Sequence, residues 1–481
     1  MKIRNIGALL CAGVAVFTLQ SKPAEALLAG VKTTGMAATS VAYPIDAFAG
    51  VYNPAGITLL CDRLDSGVSW VQTYGRGKVR DLPQYPDNLL VFTGGVQPST
   101  LNQSYNGAKT ADIYVPEFGV KKGFCLNLCR TNVEAATSLI VHNRNDLKTT
   151  YGRPFDLFGT SPLGLEYIHQ QAALVFAARF CEMHSIGVSA VYNLQRLKIN
   201  GLEKFANGFF SIHPEDTTNR GYNYSNGWGV ILGYLFELKC LKAGFSWAPR
   251  TKMNKFMKYR GFVAEEGQFD IPERYTAGIS YQFTPCLAAA FDYEYIKWRG
   301  IAQLRNPTFP NLDDAGNIGP AGPNFATFAL GGPLGPGFGF DNQSFYRFGV
   351  EYKLNQCFTV RAGFRHSPTV IDPKFTAVNL LTLDLMENVV TFGGTWRLNR
   401  CHELSFFYGL GMTKKLRGKE SIPRTIPQPF EVGGNVVARV DVPINAVVNE
   451  AGTALTDERA NGEVDIKQRR VALGVSWGWY F

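Results

Sequence analysis

The side chains of this sequence able to do covalent, acid–base or metal chemistry are nine cysteines and six histidines among dispersed serines and charged residues. His142, His169, His184, His213, His366 and His402 are scattered. None has the i, i+4 or paired spacing that brings two imidazoles to one metal ion, so no metal ligands are expected. No serine and histidine pair on one strand face as a barrel hydrolase would need. The run Gly331–Gly339 looks like a phosphate loop but lacks the following Lys and Ser or Thr, and Pro333 and Pro336 interrupt it. The expectation is therefore no catalytic residue, no cofactor and no enzyme. Cys11 falls in an apolar N-terminal run. The other eight, Cys61, Cys125, Cys129, Cys181, Cys240, Cys286, Cys357 and Cys401, are spread so evenly that their chemistry depends on the elements carrying them.

Those elements read as strands. Across Arg274–Phe283, Tyr275, Ala277, Ile279, Tyr281 and Phe283 fall on one face and Arg274, Thr276, Gly278, Ser280 and Gln282 on the other. The same division separates Tyr346, Phe348, Val350 and Tyr352 from Arg347, Glu351 and Lys353, and Phe358, Val360, Ala362 and Phe364 from Arg361 and Arg365. One face suits lipid and the other water. Fourteen such strands are expected, near 66–74, 112–121, 133–143, 167–180, 185–197, 227–236, 241–250, 273–283, 286–298, 343–354, 357–367, 387–397, 402–412 and 468–481. Their connections alternate long and short, as in an antiparallel transmembrane barrel with short periplasmic turns. A soluble sandwich has no reason to sort its loops this way.

Composition agrees with one large all-β structure: aromatic residues make up 13% and charged residues only 18%, with 50 glycines. Residues 1–26 read as a signal peptide, with Lys2 and Arg4 before an apolar run and Ala24-Glu25-Ala26 at the cleavage site. Beyond it no apolar run reaches the length of a membrane helix. A mean hydropathy of −0.07 is compatible with a barrel, in which alternate residues face lipid. The net charge of +9 comes from dispersed basic residues without a nucleic-acid recognition motif, so anionic headgroups or carboxylate ligands are the expected counterparts and nucleic acid is not.

Between signal and strands lies Asn53-Pro54-Ala55-Gly56, where Pro54 fixes its own φ, biases Asn53 away from helix, and Gly56 frees the next step. The chain must turn sharply there. With Thr34-Gly35-Met36-Ala37-Ala38 before it and a terminal Trp477-Gly-Trp-Tyr-Phe481, the sequence resembles the FadL-type outer-membrane channels for long-chain fatty acids and other hydrophobic compounds. The resemblance implies a 14-stranded barrel over 63–481, an N-terminal hatch over 27–62 plugging it, a gate at Asn53, Pro54, Ala55 and Gly56, and passive uptake across an outer membrane. It also implies a lateral exit at an inward kink of the third strand. Val133–Asn143 contains neither Gly nor Pro, so a bulge around His142 to Asn145 is the alternative.

Three further sets of site residues are expected. Phe205, Phe209, Phe210, Met253, Phe256 and Met257, with Lys252 and Lys255, either pack the long loops against one another or form a greasy groove with a cationic rim for an amphipathic carboxylate. Arg347, Arg361, Arg365 and Arg470 face the lumen beside Asp292, Glu294 and Glu351, either as an ion-pair lattice or as carboxylate anchors. Cys125, Cys129, Cys181, Cys240, Cys286, Cys357 and Cys401 fall at or beside the short turns and Cys61 closes the hatch, so all eight are expected on the periplasmic face. Neighbouring turns sit two strands, about 10 Å, apart, and a disulfide needs Cα atoms within about 7 Å. Cys125 with Cys129 is a possible pair, Cys61 a possible tether of the hatch, and the rest are placed to bond envelope proteins in an oxidising periplasm. Expected partners are thus a long-chain fatty acid or other hydrophobic molecule, outer-membrane lipid and disulfide-linked envelope proteins. The rival functions are a general porin for small polar solutes and a structural or adhesive surface barrel.

Overall fold

A computed structural model describes residues 29–82, 98–107, 112–128, 131–308, 324–419, 425–432, 435–443, 446–448, 454–456 and 462–481. The expected signal peptide and Cys129 lie outside the described residues. In the described residues one antiparallel sheet holds the fourteen strands of the barrel, with the short strand Ser104–Asn106 added against the first of them: β1 Arg63–Arg80, β2 Asp112–Leu128, β3 Thr131–Pro154, β4 Pro162–Phe180, β5 His184–Asn200, β6 Asn223–Leu238 and β7 Leu241–Ala248, then β8 Arg274–Thr284, β9 Leu287–Ile296, β10 Gln343–Lys353, β11 Phe358–His366, β12 Asn388–Arg397, β13 His402–Leu416 and β14 Glu463–Tyr480. Each pairs with its sequence neighbours. β14 returns to β1 in a continuous ladder from Arg63↔Tyr480 to Arg80↔Glu463, so the sheet closes on itself.

The two-residue period decides which way each side chain points. Ile279, Tyr281, Phe283, Phe348, Phe364, Val475 and Trp477 are exposed on the outside, while Arg274, Thr276, Ser280, Arg347, Arg361 and Ser476 are buried within. No helix among the described residues is long and apolar enough to cross a membrane, and the outward apolar band is what meets lipid.

All fourteen expected strands are present, and most run further than expected. The expected long connection 144–166 is mostly strand, since β3 continues to Pro154 and β4 begins at Pro162. Thr149 and Tyr151 remain buried in this extension while Gly152 and Arg153 are exposed, so the ladder continues into water with a polar outer face that a lipid-facing pattern does not match. The connection 413–467 likewise carries two short hairpins, Thr425–Val432 with Asn435–Pro443 and Ala446–Val448 with Ala454–Thr456.

The two largest of four hydrophobic centres among the described residues lie in the connections and inside the barrel. The larger lies among the long connections and joins Leu101, Tyr105, Tyr151 and Phe155 to Leu202, Phe256, Tyr259, Phe338 and Leu380. The smaller packs Phe48, Val51, Tyr52 and Ile57 of the N-terminal segment against Ile140, Val175, Val191 and Ile231 of the wall. Burying a side chain such as Phe256 contributes roughly 1.5–3 kcal/mol. The connections thus form a packed cap over a filled barrel.

Candidate functional site

Residues 29–62 thread the inside of the barrel, and wall carboxylates hold their backbone. Glu117 accepts the N–H groups of Gly30 and Val31, both at 2.9 Å, Asp292 those of Ser40 and Val41 at 2.7 and 3.0 Å, and Asp65 that of Ala47 at 2.8 Å. Lys32 adds an ion pair to Glu403 at 2.7 Å. These are charge-assisted bonds in a buried setting, about twice as strong as neutral ones. Within the segment, burial first and then the neighbouring Asp65 carboxylate hold the carboxyl of Asp46 above the usual range.

Asn53 is the junction between segment and wall. Its Oδ1 accepts the N–H of Ala55 at 3.1 Å, capping a 3-10 turn at Pro54–Leu59, and its Nδ2 donates to the carbonyls of Val41 at 2.9 Å and Tyr234 at 3.0 Å. Pro54, Ala55, Gly56 and Ile57 are buried behind it. The wall comes this close only because it lacks side chains there. A Cβ at Gly233 would collide with Asn53 Oδ1, and one at Gly187 would stand 2.5 Å from the Ala55 nitrogen.

Between this segment and the cap lies a cavity of about 160 Å³. Leu165, Leu197, Ile199, Phe262, Phe338 and Phe340 give it apolar walls, and its charged lining comprises Arg144, Arg347 and Arg365 together with Glu294, Asp146, Asp270 and Asp384. Glu294 is met by three guanidinium groups: Arg144 at 3.1 Å, Arg274 at 3.2 Å and Arg347 in a shorter contact. All four residues are buried, so this cluster carries an excess of positive charge inside the barrel.

The expected lumen anchors separate here. Arg347 and Arg365 line the cavity and both lie near the Phe345 ring, at 5.3 and 5.7 Å. Arg361 does not line it: its Nε meets Glu351 at 2.8 Å and its Nη1 donates to Thr395 at 2.7 Å. Arg470 lies beside a smaller void and donates from Nε to Thr73 at 3.2 Å. Sequence reasoning missed Arg144 and the role of Arg274. The available signal was the unbroken polar run His142–Asp146, which departs from the alternation of a strand.

The loop set divides too. Met253, Phe256 and Phe209 are buried, Phe205 and Phe210 are half-buried, and Met257, Lys252 and Lys255 are exposed. Phe205 and Phe210 belong to an edge-to-face series running from Tyr105 through Phe155 and Phe158 to Phe209, with centroids 4.7 to 5.6 Å apart. Packing of loop against loop therefore accounts for most of these rings. Lys255 pairs with Glu266 at 3.4 Å.

The wall is interrupted beside the N-terminal segment. β3 carries a bulge between Asn143 and Asn145 in its pairing with β4, and His142, Asn143 and Arg144 are all buried in succession, which a regular strand does not allow. The ladder between β2 and β3 runs from Leu128↔Thr131 only to Phe118↔Val141, although β2 begins at Asp112 and β3 runs on to Pro154. Residues 112–117 thus pair with β1 but not with β3. The bulge anticipated around His142 to Asn145 is present, and the wall is unlaced next to it.

Seven described cysteines, Cys61, Cys125, Cys181, Cys240, Cys286, Cys357 and Cys401, are free and exposed. Their turns all lie at the barrel end that also carries the start of β1 and the end of β14.

Among proteins of known structure, the toluene transporter TodX of P. putida matches over 95% of this chain and 99% of its own, at 14% identity and a TM-score of 0.58. A Pseudomonas aeruginosa FadL homologue matches over 95% and 100%, at 12% identity and 0.58, and the Ralstonia pickettii toluene transporter TbuX over 95% and 99%, at 14% identity and 0.54. This chain has the fold of the FadL-type channels. No protein-family model and no curated protein sequence matches it. At these identities the likeness is one of architecture, and the residues inside the barrel have to be read for themselves.

Proposed function

We propose that this protein is an outer-membrane channel for passive uptake of hydrophobic compounds, with amphipathic carboxylates as its preferred class. The observation that carries the reading is the largely apolar cavity of about 160 Å³ lined by Arg144 and Arg347, which with Arg274 behind them surround Glu294. An apolar cavity of about 150 Å³ is large enough for benzene. The cavity thus suits an aromatic ring or one segment of an alkyl chain, and the excess guanidinium charge suits a carboxylate at one end. The neighbours of this fold include proteins described as toluene transporters and a FadL homologue, which agrees with cargo of that kind.

The proposed path starts at the cap, where Met257, Lys252 and Lys255 with the half-buried Phe205 and Phe210 offer an apolar surface with cations. It continues into the cavity and leaves past residues 29–62, acting as a hatch, when the Asn53 junction releases. The unlaced stretch between β2 and β3 offers a sideways exit into lipid. No step needs a cofactor or energy source.

Proteoliposomes test this. Labelled dodecanoate or toluene should enter much faster than into empty vesicles, while labelled glucose should not. A large steady ion current in planar bilayers, with glucose uptake matching dodecanoate uptake, would favour the general porin instead. Equal entry of all three in vesicles with and without protein would leave the anchoring role of a surface barrel.

A further inference from the structure

The exposed cysteines repeat one local design around one rim. Asn355 Oδ1 accepts the N–H groups of Cys357 and Phe358 at 2.8 and 2.9 Å, Asn399 Oδ1 those of Cys401 and His402 at 2.8 and 2.9 Å, and Thr284 Oγ1 those of Cys286 and Leu287 at 3.3 and 3.0 Å. In each case the side chain two residues before the cysteine closes the turn. The cysteine carbonyls are equivalent as well. Those of Cys240, Cys286, Cys357 and Cys401 each accept a backbone N–H from the far end of the next hairpin, from Gln282, Lys353, Arg397 and Tyr480, at 2.7 to 2.9 Å. The thiols are thus presented at a regular pitch by rigid backbone, two strands or about 10 Å apart.

That pitch exceeds the roughly 7 Å that a disulfide permits between Cα atoms, so adjacent turns do not cross-link within the chain. Cys181 adds a separate observation. It sits at φ 51° and is followed by Glu182 at φ 60° in the three-residue turn Cys181–Met183, backbone positions that favour glycine or asparagine. A cysteine there is unfavourable for the backbone, which points to a use for its sulfur.

We propose that this rim is a covalent docking surface for an acidic, cysteine-bearing protein that lies across the short-turn end of the barrel. A second copy beside this one in the membrane would touch a single sector, whereas the thiols follow the turns from β4 to β13 with Cys61 and Cys125 completing the circle. Only a partner beneath the rim reaches several of them. Lys239, Lys353, Arg397 and Arg400 are exposed beside Cys240, Cys357 and Cys401, which selects acidic surface. In each link the Sγ of this chain bonds to an Sγ of the partner, and the two thiols give up two protons and two electrons. A protein disulfide of a dithiol–disulfide oxidant accepts both and leaves as the dithiol.

The test uses native cells making the full chain, with thiols blocked by N-ethylmaleimide at lysis, non-reducing electrophoresis, and mass spectrometry of disulfide-linked peptides. Most of the chain should run as high-mass species that collapse to monomer on reduction. Linked peptides should join at least two of Cys286, Cys357 and Cys401 to one other, acidic polypeptide. The triple variant Cys286→Ser, Cys357→Ser, Cys401→Ser should lose at least fivefold of the adduct while its barrel keeps the heat-modifiable mobility of a folded protein. Monomer alone under both conditions overturns the proposal, as do linked peptides that both come from this chain, linkage to a basic protein, or an adduct that survives the triple substitution.

Discussion

Arg144 on the bulge of β3 places its Nη2 3.1 Å from Oε1 of Glu294 on β9, so one ion pair crosses the barrel lumen. Glu294 holds Arg274 and Arg347 as well, and the local irregularity of β3 is thereby tied to the charged lining of the cavity.

Glu294→Gln should be strongly destabilising, because it leaves three buried guanidinium groups without their shared carboxylate. Removing one partner of a buried pair costs about 3–5 kcal/mol. Dodecanoate should recover part of the lost thermal stability of the purified barrel, and dodecanol should recover none. Equal rescue by both, followed by calorimetry in detergent, would rule out the cluster as a carboxylate site.

Asn53→Ala removes two donors and the cap of the Pro54–Leu59 turn, while leaving every lipid-facing side chain in place. Each lost bond to a buried partner costs about 1–3 kcal/mol. Barrel assembly should survive, and dodecanoate flux into proteoliposomes should change at least severalfold. Flux and glucose leakage both equal to wild type would remove the gating role from this junction.

The fourteen strands and their inward and outward faces were legible in the sequence because a period of two is imposed on every lipid-spanning strand. The turn at Asn53 and Pro54 was legible for a similar local reason, since Pro54 allows few backbones. The Arg144–Glu294 pair was not. It joins residues 150 positions apart on opposite walls, and it depends on a bulge that the run His142–Asp146 encodes only as a polar interruption. The burial of Phe256 was equally out of reach. Whether an aromatic residue in a long loop is exposed depends on the other loops above it, here those bearing Tyr259, Phe338 and Leu380.

Glu273, just before β8, sits in a clamp at the long-connection end of the barrel, accepting from Lys297 Nζ at 2.8 Å, Tyr275 Oη at 2.5 Å and Trp247 Nε1 at 3.0 Å. These donors, Lys297 first, hold its carboxyl down to about 2. A depressed folded-state value means that the clamp contributes at every pH above the ordinary carboxylate range and is lost as pH falls through about 2. The Trp247 contribution to fluorescence, taken as the difference between wild type and Trp247→Phe, should change near pH 2, and Glu273→Gln should abolish that transition. A midpoint near the ordinary glutamate value of about 4.3 would mean that the clamp does not form in solution.

Deleting Arg144 separates the bulge from the charge it carries. The deletion removes the extra residue opposite β4 and restores the two-residue period beyond Asn143, whereas Arg144→Ala keeps the bulge and removes only the guanidinium. If cargo leaves sideways where β2 and β3 part, the deletion should reduce toluene flux into proteoliposomes at least tenfold and Arg144→Ala should leave it within about twofold. Toluene has no carboxylate, so loss of the anion site alone does not affect its passage. Should both variants carry toluene at the wild-type rate, the unlaced stretch is not the exit, and cargo leaves along the barrel axis past the N-terminal segment.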